Sequence, residues 1–74
     1  MKVEVERMSN GYVLQIKDDE QRSIVIEEED TTDDRGELEA MRTLLIEVKE
    51  ALGVFNNKHK KLNLQIAITE RQDD

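Results

Sequence analysis

The feature that most constrains this chain is Asn10-Gly11, set between two runs that alternate apolar with polar residues. Both residues tolerate positive φ, so the pair is a strong signal for a two-residue hairpin loop. Before it, Val3 and Val5 alternate with Lys2, Glu4 and Glu6; after it, Tyr12, Leu14 and Ile16 alternate with Val13, Gln15 and Lys17. A loop at Asn10-Gly11 predicts strands over about 2–9 and 12–18. It sets Val5 opposite Ile16 on one face and Glu4 opposite Lys17 on the other, an attractive cross-strand pair.

Ser23 to Glu27 reads as a third strand, over about 23–28. If Ile24 and Ile26 are to share the face of Ile16 and Leu14, the loop is Asp19–Gln21 and Ile16 faces Ile24. Such loops usually place a glycine in the left-handed region, and this one has none. The acidic stretch that follows supplies a helix start, with Asp34 and Glu37 spaced as a capping box. From Leu38, apolar residues at 38, 41, 45, 48, 52 and 55 recur three and four apart, with Leu44 and Ala51 widening the stripe. This spacing predicts a helix over about 34–53, stopped at Gly53, with Phe55 completing the buried side. Ile46 falls on the opposite side, among Arg42, Lys49 and Glu50. Leu62, Leu64, Ile66 and Ile68 then alternate with polar or small residues, predicting a strand over about 61–69 and a frayed tail at 70–74.

The predicted fold is α+β: one domain over 1–74, element order β-β-β-α-β. It is a four-stranded mixed sheet with one helix packed on one face. A helical crossover makes the last strand parallel to the first and third, and an edge position beside strand one gives the order 4-1-2-3.

Composition removes most chemistries. Without cysteine there is no disulfide framework, thiolate zinc site, iron–sulfur cluster or cysteine nucleophile. A 74-residue chain buries only a small core and has no room to enclose a cleft of several hundred Å³. No apolar run approaches the length, roughly 20 residues, that spans a bilayer. The start MKVEVERM shows no export signal, so the expected location is the cytoplasm. The one histidine, His59, lies between lysines, and Ser9 and Ser23 sit in no nucleophile motif. The calcium-loop pattern fails: with Gly36 as its central glycine, Thr31, Arg35 and Arg42 occupy ligand positions. The three glycines are used by turns and helix ends, so no phosphate cradle remains. The chain reads as a non-enzyme that needs no cofactor and binds no metal.

Charge is more informative. Eighteen acids against eleven bases give a net −7, which disfavours direct nucleic-acid binding. Eight of the acids crowd into one rim: Glu27, Glu28, Glu29, Asp30, Asp33, Asp34, Glu37 and Glu39. Solvation accounts for such a rim, and the sharper reading is a partner-binding surface that presents carboxylates to a basic groove. Lys58, Lys60 and Lys61 form a small basic patch, an anion contact if the chain sequesters a nucleotide between subunits. On the outer sheet face Met8, Val13, Val25 and Ala67 are apolar among charges, a candidate homodimer face.

The hairpin with Asn10-Gly11-Tyr12-Val13-Leu14, the acidic linker, the helix reading Leu44-Leu45-Ile46-Glu47-Val48 through Gly53, and Lys58-His59 before an alternating run together resemble small uncharacterised proteins of bacteriophages and prophages. The resemblance brings no catalytic residues. It implies a small acidic accessory protein, acting in the host cytoplasm if phage-encoded, that binds a host or phage protein. Some such proteins inhibit host defence nucleases. The expectation is therefore a non-catalytic protein-binding protein. A nucleic-acid-mimicking inhibitor of a basic host protein and a small-ligand or nucleotide sponge are the alternatives.

Overall fold

The computed structural model describes residues 1–29 and 34–71. Three strands, β1 (Lys2–Met8), β2 (Gly11–Lys17) and β3 (Gln21–Glu27), precede one helix, α1 (Arg35–Ala51). The strands form an antiparallel sheet in the order β1-β2-β3. This is an α+β fold with one helix on one face.

Both hairpins form, each with its register displaced by two residues from the sequence expectation. Met8 pairs with Gly11, so the first loop is Ser9-Asn10, and Val5 faces Leu14 rather than Ile16. Glu4 faces Gln15 and reaches Lys17 diagonally, 3.2 Å from its Nζ. Gly11 serves the sheet and not the turn: a Cβ there would run into the main-chain oxygen of Ile26 on β3. In the second hairpin Lys17 pairs with Gln21 and Leu14 with Ile24, making the loop Asp18–Glu20. In place of a glycine, Asp18 Oδ1 accepts a hydrogen bond from the Glu20 amide at 2.8 Å, and Arg22 pairs with the other carboxylate oxygen. An aspartate turn of this kind closes the loop without any residue at positive φ. Because side chains alternate with a period of two, both shifts leave every residue on its expected face.

The helix begins one residue later than expected, and Asp34 makes no side-chain capping bond, so the capping box does not form. At the other end Gly53 adopts φ +85. Its amide donates to the Glu50 oxygen and that of Val54 to the Lys49 oxygen, the paired bonds of a Schellman motif.

The face that α1 buries also differs from the predicted stripe. Gly36, Ala40 and Leu44 are buried, and Val48 and Ala51 pack beside them. Leu38, Met41, Leu45, Leu52 and Phe55 are exposed. Two small residues let the helix backbone lie close to the sheet, and that approach sets its rotation. The core is Tyr12, Leu14, Ile16 and Ile26 from the sheet with Ala40 and Leu44 from the helix.

Among the described residues no fourth strand forms, so the order 4-1-2-3 gives way to a three-stranded sheet. Residues 62–71 lie outside any helix or strand, along the far flank of α1. They are anchored there by side chains: Arg42 Nε donates to the Ile66 oxygen at 2.9 Å, and the Asn56 amide exchanges two hydrogen bonds with the main chain of Leu64. Ile46, expected to stand alone, is half-buried facing this segment.

Candidate functional site

The acidic rim lies where the end of β3 approaches the start of α1. Glu27 at the end of β3, Glu29 just beyond it and Glu39 from the second helical turn border one concavity of about 280 Å³, together with Ile26, Ala40 and Thr43. The antiparallel sheet brings the strand end to this corner, and buried Gly36 brings the helix start onto it. Residues well separated in sequence thus border a common hollow. Asp34 and Glu37 are exposed nearby, while Asp30 and Asp33 lie outside the described residues.

Glu28 is set apart from the other acids. Its Oε1 accepts a hydrogen bond from Arg7 Nη1 at 2.8 Å, and the same guanidinium lies 4.7 Å from the centre of the Tyr12 ring. That bond to Glu28 holds Arg7 above its ordinary pKa. Glu28 is therefore structural, closing β1 and β3 over Tyr12. Carboxylates at Glu27, Glu29 and Glu39 face solvent. Their field extends outward about one Debye length, roughly 8 Å at physiological ionic strength.

The basic patch is a separate loop. Lys58, Lys60 and Lys61 are exposed, and the loop is turned by Asn57, whose Oδ1 accepts the His59 amide at 2.9 Å. His59 is exposed with it. The candidate dimer face is only partly assembled: Val13 faces Val25 across β2 and β3, and Met8 lies diagonally beside them. Ala67 is not among them. It sits in the terminal segment against Arg42 and Thr43, because that segment never joins the sheet.

One cleft went unread in the sequence. Between α1 and residues 55–67 runs an open groove of about 520 Å³, lined by Arg42, Ile46, Lys49, Phe55, Leu64 and Ile66 among others. A chain this short cannot enclose such a volume; it leaves one open where a segment lies beside the helix instead of entering the sheet. Arg42 and Lys49, two turns apart on one helix face, were the available signal. Both cations already donate to main-chain oxygens, Arg42 to Ile66 and Lys49 to Val54 at 2.8 Å.

Among the described residues, no three histidine or carboxylate side chains are grouped to hold a metal ion, and no helix is long and apolar enough to cross a membrane. Comparison with protein-family models, curated proteins and solved structures finds no match.

Proposed function

We propose that this chain is a non-catalytic accessory protein, in the manner of the small phage proteins its residues resemble, that docks a basic partner protein on its acidic end. One observation carries the reading: Glu27, Glu29 and Glu39 all border a single concavity, while the neighbouring Glu28 is consumed by Arg7. All three are exposed, within direct reach of a basic partner. A fixed negative surface also speeds encounter with a basic groove and makes affinity salt-sensitive. A groove that ordinarily takes phosphates is one such partner, so inhibition by occupying a nucleic-acid site is the specific form of this function.

The test is affinity capture from host lysate at low and at raised salt, with the wild type and with Glu27→Gln, Glu29→Gln and Glu39→Gln combined. Basic proteins retained by the wild type at low salt are expected to be lost by the triple variant. Unchanged capture by that variant at low salt would overturn the reading.

A further inference from the structure

Two unfinished surfaces face away from each other across this molecule. The first is the outer edge of β1. The Glu28 amide donates to the Asn10 oxygen, so even-numbered positions of β2 point their main chain at β3 and odd-numbered ones at β1. By the same alternation Val3, Val5 and Arg7 point their amides and carbonyls outward from β1, where no strand pairs with them among the described residues. The helix reaches β2 and β3, leaving Val5 exposed. Met41 and Leu45, on the helix flank opposite Glu39 and Thr43, stand uncovered on the β1 side.

The second surface is residues 62–69. They carry the strict alternation of a strand, at about the length of β1, yet pair with none. Their main chain is anchored at Leu64 and Ile66, by Asn56 and Arg42. In an extended segment that alternation turns the main-chain amides and carbonyls of Asn63, Gln65 and Ala67 away from those anchors.

We propose that these surfaces complete each other in a second copy of this chain: residues 62–69 of each protomer add as a fourth strand to the β1 edge of the other. Two observations select this occupant. The anchors hold the main chain at Leu64 and Ile66 only, leaving that of Asn63, Gln65 and Ala67 outside them. Parallel alignment with Val5 level with Ile66 matches outward main chain to outward main chain and sets Val3 beside Leu64, so the apolar faces coincide. Charge does not oppose the pairing: residues 62–69 carry no charge, and β1 carries two bases against two acids. The exchange is reciprocal, as a two-fold dimer requires. It uses neither the acidic concavity nor the Met8, Val13 and Val25 face, so it stands or falls apart from the proposed function.

Sedimentation velocity of the full chain between about 1 and 100 µM tests it. The wild type is expected to be a dimer. Val5→Pro removes an outward amide from β1 while sparing its bonds to β2, and Gln65→Pro removes one from the segment while sparing both anchors. Each variant alone is expected to self-associate at least tenfold more weakly. An equimolar mixture regains one junction, intact β1 edge with intact segment, and is expected to form a heterodimer. Circular dichroism checks that each variant is folded, and Val5→Lys replaces Val5→Pro if the proline does not fold. A wild type monomeric throughout, a dimer that survives both edge variants, or a mixture that stays monomeric overturns the proposal. Loss of the dimer on Val25→Lys alone would assign the interface to the outer sheet face and overturn it too.

Discussion

Leu44 and Leu45 are adjacent, chemically identical and both placed on the apolar stripe by their spacing, yet the structure assigns them opposite fates. Leu44 is 5% exposed between β2 and the helix axis, and Leu45 is 44% exposed on the flank. Truncation to alanine removes three carbons, worth roughly 2.4 kcal/mol when fully buried at ~0.8 per methylene. For Leu44 nearly all of that is lost, and the cavity left in a rigid core adds about another 1 kcal/mol, giving about 3. For Leu45 a little over half is lost, and the space opens to water without a cavity term, so the expected cost is about 1 kcal/mol. A chain of this length has roughly 4–11 kcal/mol in total, so Leu44→Ala removes a large share and Leu45→Ala a small one. Urea titration followed by circular dichroism reads the difference. With a slope of about 1 kcal/mol/M, the midpoints should fall by about 3 M and about 1 M. The measurement belongs at the lowest workable protein concentration, since self-association on the β1 side would cover Leu45. If Leu45→Ala costs as much as Leu44→Ala there, the helix is rotated from the position described, and the small-residue contact through Gly36 and Ala40 does not set its approach.

Gly11 and Gly53 should separate in the same assay. Gly53→Ala meets no atom within 4 Å. It carries only the left-handed backbone penalty, about 1–2 kcal/mol. Gly11→Ala must push β2 away from the Ile26 carbonyl, so its loss should be clearly the larger; equal losses would mean that Gly11 serves only the turn. Hydrogen bonds from Lys2 and Lys17 hold the Glu4 carboxylate below its ordinary pKa. A depressed folded value makes this a contribution present above the unfolded value, about 4.3, and lost as pH falls through the folded one. The melting temperature of the wild type should therefore exceed that of Glu4→Gln near neutral pH and converge with it once acid has protonated the folded carboxyl. A gap that widens on acidification would reverse the sign and refute the pairing.

The register shifts show what alternation can and cannot specify. A strand slid by two residues keeps every side chain on its face, so the hydrophobic pattern around Asn10-Gly11 fits Val5 opposite Ile16 as well as Val5 opposite Leu14. Asparagine with glycine signals a turn, but here Gly11 is needed one residue beyond it, where β3 comes too close for a side chain. That demand is non-local and leaves no trace near Gly11 itself. The helix phase was hidden for a related reason. Periodicity weights large apolar residues, and the contact is made by Gly36 and Ala40, whose value lies in being small. The acidic rim was legible as a run, but the partition within it was not: only the pairing of β1 with β2 and β2 with β3 brings Arg7 to Glu28 and leaves Glu27 and Glu29 exposed beside it. Residues 61–69 have the alternation of a strand, and the pattern is silent on whether its partner lies in the same chain.

The shape of the molecule bears on that last question and on function together. A compact chain of this length has an expected radius of gyration of about 11 Å. The observed value is 14.7 Å, in a body only 15 Å along its shortest axis. The excess has an identifiable origin: α1 covers two strands of three, and the terminal segment lies outside the sheet. Apolar groups that a fourth strand would have covered remain at the surface, among them Val5, Leu45 and Leu64. Patches of this kind on a small protein mark contact surfaces, since leaving them in water forfeits stabilisation a small core can ill spare. The two proposals fall on surfaces of different character. Crowded carboxylates at the β3–α1 corner repel a like surface and suit a basic partner, whereas the uncharged, alternating segment and the bare β1 edge suit each other. The proposed dimer and the proposed docking of a basic partner therefore draw on different residues and do not compete.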